Sequence, residues 1–364
     1  MTLDLVFLGL SITSSWGNGH ATTYRSLIRA LAAQGHRVTF LERDVPWYAA
    51  HRDMPDPPWC RTQLYGSVAD LQARLAAPVR NADAVIVGSF VPDGVEVGAW
   101  VQKLARGTVA FYDIDTPVTM AKLARGDFEY LSPDVIGGYN LYLSFTGGPT
   151  LRRLEDDFGA PMARPLYCSV DPDLYRPTRE APIWDLGYLG TWSEDRQPTV
   201  ERLVCEPARR KPEGRFVVAG PQYPADIDWP GNVARIDHLP PSEHSSFYSR
   251  QRFTLNVTRA DMVAAGWAPS VRLFEAAACG TPIISDWWEG LDSLFRLGAE
   301  ILIGDSAETV AEIITLMPEA RRRSIGEAAR KRVLAAHTSS HRATELIGHL
   351  RDAATARPRV QTAG

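Results

Sequence analysis

Apolar residues in this chain gather into short blocks, each followed by a stretch with helical spacing. Blocks at 3–10, 37–41, 84–88, 108–112, 141–145 and 163–167 read as buried strands in the first half. Those at 184–190, 215–220, 253–257, 282–285 and 300–303 read the same way in the second. Between them run helices. Tyr24, Leu27, Ile28 and Leu31 fall at i, i+3, i+4 and i+7, and Gly35 closes that helix. Others are predicted over 95–105, after a Gly147-Gly148-Pro149 turn with Thr150 as cap, over 242–248 and 290–297, and on to about Ala336. A last amphipathic helix over 340–354 lines up Ala343, Leu346, Ile347 and Leu350. Fully apolar strands alternating with helices specify α/β architecture with parallel sheets. Residues 46–58, rich in proline and tryptophan, have no period and read as a surface excursion.

At 169–177 apolar periodicity stops and prolines recur, which marks a boundary. The expected domains are 1–168 and 169–338, each Rossmann-like, with a helix over 339–356 and a disordered tail over 357–364. A chain of 364 residues with 45% hydrophobic content supplies two cores of ordinary size. A net charge of −4 and an isoelectric point near 6.1 give no attraction to phosphate backbones, so nucleic acid is not expected as a partner. Cys60, Cys168, Cys205 and Cys279 are far apart, which argues against disulfides or a zinc site and fits a reducing cytoplasm. No run approaches the roughly 20 apolar residues of a membrane span, so membrane contact, if any, is expected to be peripheral.

Candidate chemistry centres on residues 269–286. Ser270 stands as N-cap of a short helix over 271–279, Gly280 stops it, and the next strand begins at once. Free amides and the positive dipole end of such a helix suit a diphosphate, with Ser270, Val271 and Arg272 closest. Val271, Phe274 and Ala278 share one face, and Arg272 and Glu275 another. That pair reads either as a ligand-binding arginine and carboxylate or as a solvated (i, i+3) ion pair. Gly190 and Thr191 can bring backbone amides to phosphate. Arg196 and Arg259 read as diphosphate contacts or as plain surface arginines, and the loop at His238 and Leu239 reads as meeting a nucleobase.

In the first half, Gly17 and Gly19 lie in the turn after the first strand, a weak phosphate signal because no full GxGxxG follows. His20 follows them. It reads as a general base oriented by Asp113 or Asp115, or as a residue capping its own helix. The sequence Asp113-Ile114-Asp115 spells a metal-binding DxD, but in the first half, away from the expected diphosphate. No metal is therefore expected. Trp16, Trp47, Tyr48 and Trp59 read equally as a stacking floor or as packing.

The run Glu-Ala-Ala-Ala-Cys-Gly-Thr-Pro-Ile-Ile-Ser-Asp at 275–286 resembles the donor segment of GT-B glycosyltransferases, and with Arg272 and Phe274 that of CgeB-type proteins. Residues 17–40, with Gly-x-Gly-His and Ala-x-Gly-His-x-Val-x-Phe, are similar to the N-terminal segment of many such enzymes. The resemblance implies two Rossmann-like domains facing across a cleft, with the terminal helix crossing back to the first. It implies a nucleoside-diphosphate sugar as co-substrate with no other cofactor, Glu275 on the donor ribose, and a His/Asp pair in the acceptor domain. The acceptor is a small molecule or glycan that the sequence does not name. Relatives with a Glu-x7-Glu motif carry a glutamate where this chain has Trp267. A sugar-nucleotide 2-epimerase and a binding protein without catalysis are the competing readings, and inverting or retaining chemistry stays open.

Overall fold

The structure, a computed structural model, describes residues 2–17 and 19–356; the tail expected over 357–364 lies outside them. The chain divides into two compact units, residues 1–168 with 339–364 and residues 169–338.

The first unit is built on a seven-stranded sheet: β1 (Asp4–Gly9), β2 (Arg37–Arg43), β3 (Arg61–Tyr65), β4 (Ala84–Gly88), β5 (Thr108–Asp113), β6 (Leu141–Ser144) and β7 (Ala163–Pro165). Its order is β3-β2-β1-β4-β5-β6-β7, parallel throughout. Reversal of strand order between β1 and β4 makes a switch point, where parallel α/β sheets collect ligands outside their carboxyl ends. β4 is buried along its whole length and β1 along nearly all of it, because helices cover both faces. The helix Gly19–Ala33 buries Tyr24, Leu27, Ile28 and Leu31 on one of them. The terminal helix Ser339–Ala356 packs beside it and places Ala343, Leu346, Ile347, Leu350 and Ala353 in the same core. Arg342, buried in that helix, donates to the Tyr167 carbonyl at 3.1 Å.

Several elements here differ from the sequence reading. β3, an edge strand of polar composition, and the helix Val68–Asn81 follow the proline-rich excursion, which itself contains a four-residue helix, Pro46–Ala49. A further helix, Thr116–Ala124, starts directly after β5. Thr150 lies inside the helix Pro149–Asp156, whose N-cap is Gly148 at φ 58°, so the expected cap is displaced by two residues.

The second unit repeats the plan with six parallel strands: β8 (Trp184–Leu189), β9 (Phe216–Ala219), β10 (Val233–Ile236), β11 (Gln251–Asn256), β12 (Ile283–Ser285) and β13 (Leu302–Ile303). The order β10-β9-β8-β11-β12-β13 again reverses at the first strand. Between β11 and β12 runs the short helix Val271–Ala278, buried from Arg272 to Ala278 and ended by Gly280 at φ 72°. Among the described residues no helix is long and apolar enough to cross a membrane.

Candidate active site

In the second unit the ends of β8, β11 and β12 converge on the start of the helix Val271–Ala278. Arg272 is only 8% exposed. Its Nε donates to the Leu189 carbonyl at 2.5 Å and its Nη1 to Asn256 Oδ1 at 2.9 Å, while the guanidinium lies over the Tyr188 ring at 4.8 Å. Arg196, 9% exposed, donates to Ser193 Oγ at 2.8 Å and to the Thr191 carbonyl at 2.5 Å. Every one of these acceptors is neutral. Burial, with the nearby charges of Arg272 and Arg259 adding to it, lowers the Arg196 pKa. Three guanidinium groups thus share one region and raise its positive potential, and two of them are withdrawn from water without a carboxylate bonded to them. Buried charge of this kind is costly until an anion arrives.

The backbone is shaped to match. A Cβ on Gly190 would stand 2.6 Å from the Tyr188 hydroxyl and 2.9 Å from Arg272 Nη2, so only glycine leaves the guanidinium in place. Gly220, at φ 139°, closes against the Gly190 carbonyl. Thr191 is exposed beside them.

Ser270 occupies the N-cap position, yet its side chain makes no cap; its Oγ donates to Asn256 Oδ1 at 2.7 Å. The expected capping role is corrected, and the first-turn amides are left without it. Asn256 is the hub that sequence reasoning missed. Its oxygen accepts from Ser270 and Arg272, and its Nδ2 donates to Ser285 at 2.9 Å and to Thr258 at 3.1 Å. The only signal was an amide ending an otherwise apolar strand. Asp286 closes the network through Thr258, and burial raises its pKa.

Arg272 and Glu275 do not project together, contrary to expectation. Three residues turn a helix by about 300°, and the long arginine runs to the strand ends while Glu275, 5% exposed, accepts from the Tyr248 hydroxyl at 3.2 Å and faces His244 Nδ1 at 3.9 Å. The solvated ion pair does not form: both side chains are buried and bond to other partners. Val271 likewise parts from buried Phe274 and Ala278: it is 36% exposed at the helix entry. His238 is exposed and Leu239 half-buried after β10, and Arg259 is half-buried ahead of the helix Ala260–Ala265. Trp267 takes φ 43°, its amide donates to the Glu289 carbonyl at 2.6 Å, and its indole occupies the space where a side chain on Gly290 would be.

In the first unit Gly17 sits at φ 59° and Gly19 opens the first helix, both with open space where a side chain would go. The His20 ring meets Phe90 edge-on at 5.4 Å, and burial pushes its pKa down to about 4, so the imidazole is neutral at pH 7. Asp113 does not orient it. This buried carboxylate accepts from the Tyr142 hydroxyl at 2.6 Å, Thr119 Oγ1 at 2.7 Å and the Asp115 amide, which commits both oxygens; burial raises its pKa to about 6. Asp115 is half-buried at the N-cap of the helix Thr116–Ala124. Among the described residues no three His, Cys, Asp or Glu side chains gather where they could hold a metal ion.

Residues 196–348 match the family described as glycosyl transferase-like. Sucrose-phosphate synthase from Thermosynechococcus elongatus superposes with TM-score 0.73 and 16% identity, over 98% of this chain and 100% of that one. HepE from Anabaena, solved with UDP and glucose, gives 0.68 and 12% over 96% and 100%. An E. coli trehalose-6-phosphate protein bound with UDP-2-fluoro glucose gives 0.65 and 12% over 96% and 99%. The chain has the GT-B fold of glycosyltransferases. No curated protein sequence matches it significantly.

One organiser of the first GT-B unit escaped the sequence reading. Glu42, fully buried at the end of β2, accepts from the Ile12 and Thr13 amides at 2.7 and 3.0 Å and from the Ser11 and Thr13 hydroxyls at 3.0 and 2.6 Å. These four bonds fix the turn that leads to Gly17 and His20. No signal in the sequence distinguished Glu42 from the solvent-facing charges around it.

Proposed function

We propose that this protein transfers a sugar from a nucleoside-diphosphate sugar to a hydroxyl-bearing acceptor, without a metal ion. The observation that carries the reading is the pair of buried arginines, Arg196 and Arg272, bonded to neutral acceptors at the entry of the helix Val271–Ala278. Asp195 and Asp286 lie close enough to act on these arginines without bonding to them, and a diphosphate supplies the direct partner that the guanidiniums lack. The match to a glycosyl transferase-like family and the UDP-bound neighbours support the same assignment.

In the reaction the acceptor oxygen attacks the anomeric carbon, the bond from that carbon to the phosphate oxygen breaks, and its electron pair leaves with the nucleoside diphosphate. The Gly190 amide is held by the Ala219 carbonyl at 2.9 Å, so the expected phosphate contact falls to its neighbour: Arg196, Arg259, Arg272 and the amide of Thr191 stabilise charge developing on the leaving group, which makes a cation unnecessary. Glu275 takes the ribose once Tyr248 yields its bond, and the loop at His238 and Leu239 meets the base. His20, neutral at pH 7, takes the acceptor proton.

Titration of UDP, GDP, ADP and dTDP in the presence of EDTA tests the donor half. One of them is expected to bind. Arg259→Ala is expected to weaken it about tenfold and Arg272→Ala at least 100-fold, in line with removal of buried charge-assisted bonds. Because Arg272 also ties strands together, its lysine variant serves as the folding control. His20→Ala is expected to abolish transfer and leave nucleotide affinity unchanged. Binding that needs a divalent cation, or that ignores both arginines, overturns the proposal.

A further inference from the structure

Three rings gather on the first unit just past the carboxyl ends of β1 and β2. Trp16 stacks on His51 with centroids 4.5 Å apart and planes 17° from parallel, and Trp47 meets Trp16 at 4.6 Å and 69°. Trp16 is 40% exposed and Trp47 59%. Indoles are the side chains with most to gain from burial, so an open pair calls for an occupant. Trp59, directly after that excursion, shows the other outcome: it packs against the core beneath Arg29.

The patch is held rigid from below. Asp53 accepts from the Ser15 amide and hydroxyl at 2.8 Å each and pairs with both Arg25 terminal nitrogens at 2.8 Å. The Ser14 hydroxyl donates to the His51 carbonyl at 2.8 Å, and the Glu42 bonds anchor the turn one residue further back. Arg52 pairs with Asp44. Flanking charges are therefore matched to one another, leaving a polar rim with no excess sign. An ionic ligand gains little from such a rim, and a plain arene would leave its polar groups unused. A pyranose suits both parts, since its C–H face lies on an indole and its hydroxyls reach outward to imidazole, hydroxyl and carboxylate groups.

We propose that Trp16, Trp47 and His51 form a stacking site for a neutral sugar ring. On the transferase reading, on which this last step rests, that ring belongs to the acceptor. Its place supports the assignment: carboxyl ends of parallel strands are where ligands collect in such sheets, and Trp16 lies four residues before His20 in the sequence.

The test is a glycan array probed with the labelled full-length chain, alongside nucleoside-diphosphate titration. Wild type is expected to bind a subset of neutral glycans. Trp47→Ala is expected to lower that binding at least tenfold and Trp47→Tyr to restore most of it, with nucleotide affinity unchanged in both. Absence of any neutral glycan binding, binding of anionic glycans alone, or equal binding by Trp47→Ala and wild type overturns the proposal. Glycan binding that depends on Trp47 in a chain that binds no nucleotide would instead remove the donor-site reading and leave this one standing.

Discussion

The two units share a strand plan and differ in what they place at its working end. In the second unit the groups at the strand ends include guanidiniums resting on carbonyls, an amide and a hydroxyl, with Asp195 and Asp286 nearby but not bonded to them. In the first they are carboxylates, Glu42 and Asp113, saturated by hydroxyls and amides, beside a neutral histidine and open indoles. One topology thus supports different electrostatics, because side chains rather than strand order set the local potential. On the proposed function, an anion goes to one unit and an uncharged ring and a mobile proton to the other.

Glu42 offers the strongest way to break this contrast. Glu42→Leu strands two amides and two hydroxyls in the interior and is expected to cost about 3 kcal/mol, read as a lower urea midpoint with nucleotide affinity intact. Glu42→Gln is expected to cost much less, because the amide oxygen can serve the two backbone donors while both hydroxyls reverse to accept. Equal losses for the two variants would mean that packing, not hydrogen bonding, holds the turn.

Gly190→Ala probes the other side. The added carbon is expected to push the Arg272 guanidinium aside and weaken nucleotide binding about tenfold, roughly 1.4 kcal/mol, by calorimetric titration. Unchanged affinity would show that the arginine has room to spare.

The smallest expected effect is a flat one. His20 is held down to about 4 from an ordinary 6.5, so the unfolded chain takes up more protons between those values and stability rises with pH. Asp113 is held up at about 6 from 3.8, so the folded chain takes up more and stability falls as pH rises through nearly the same window. The two oppose each other in wild type. Asp113→Asn is expected to leave a rising trend and His20→Asn a falling one, measured by denaturant midpoints from about pH 4 to 6.5. Parallel trends would contradict the assignment.

What the sequence disclosed follows from what burial does to composition. β1, β4, β5 and β9 were legible because strands covered on both faces are continuous apolar runs, and β8 and β11 through their buried stretches 186–188 and 253–255. β3 was not: Arg61-Thr62-Gln63-Leu64-Tyr65 lies at the sheet edge and is mostly half-exposed or exposed. The helix Thr116–Ala124 hid behind a proline at its second position and an acidic pair before it. Around the candidate site, motif and spacing named Gly190, Arg196 and Arg272, which the structure brings close together. Asn256 and Glu42 were not, since a lone polar residue closing an apolar strand is read in isolation as the point where chain meets solvent. The separation of Arg272 from Glu275 depended on side-chain length and on acceptors contributed by distant strands, neither of which helical spacing encodes.

The helix Ser339–Ala356 makes the first unit discontinuous in sequence. During synthesis residues 1–168 leave the ribosome without the segment that seals the groove beside Leu27 and Leu31, and 170 further residues must follow before it arrives. The downstream unit is complete sooner after its own start, so order of emergence and order of maturation are reversed: the part translated first is the part finished last.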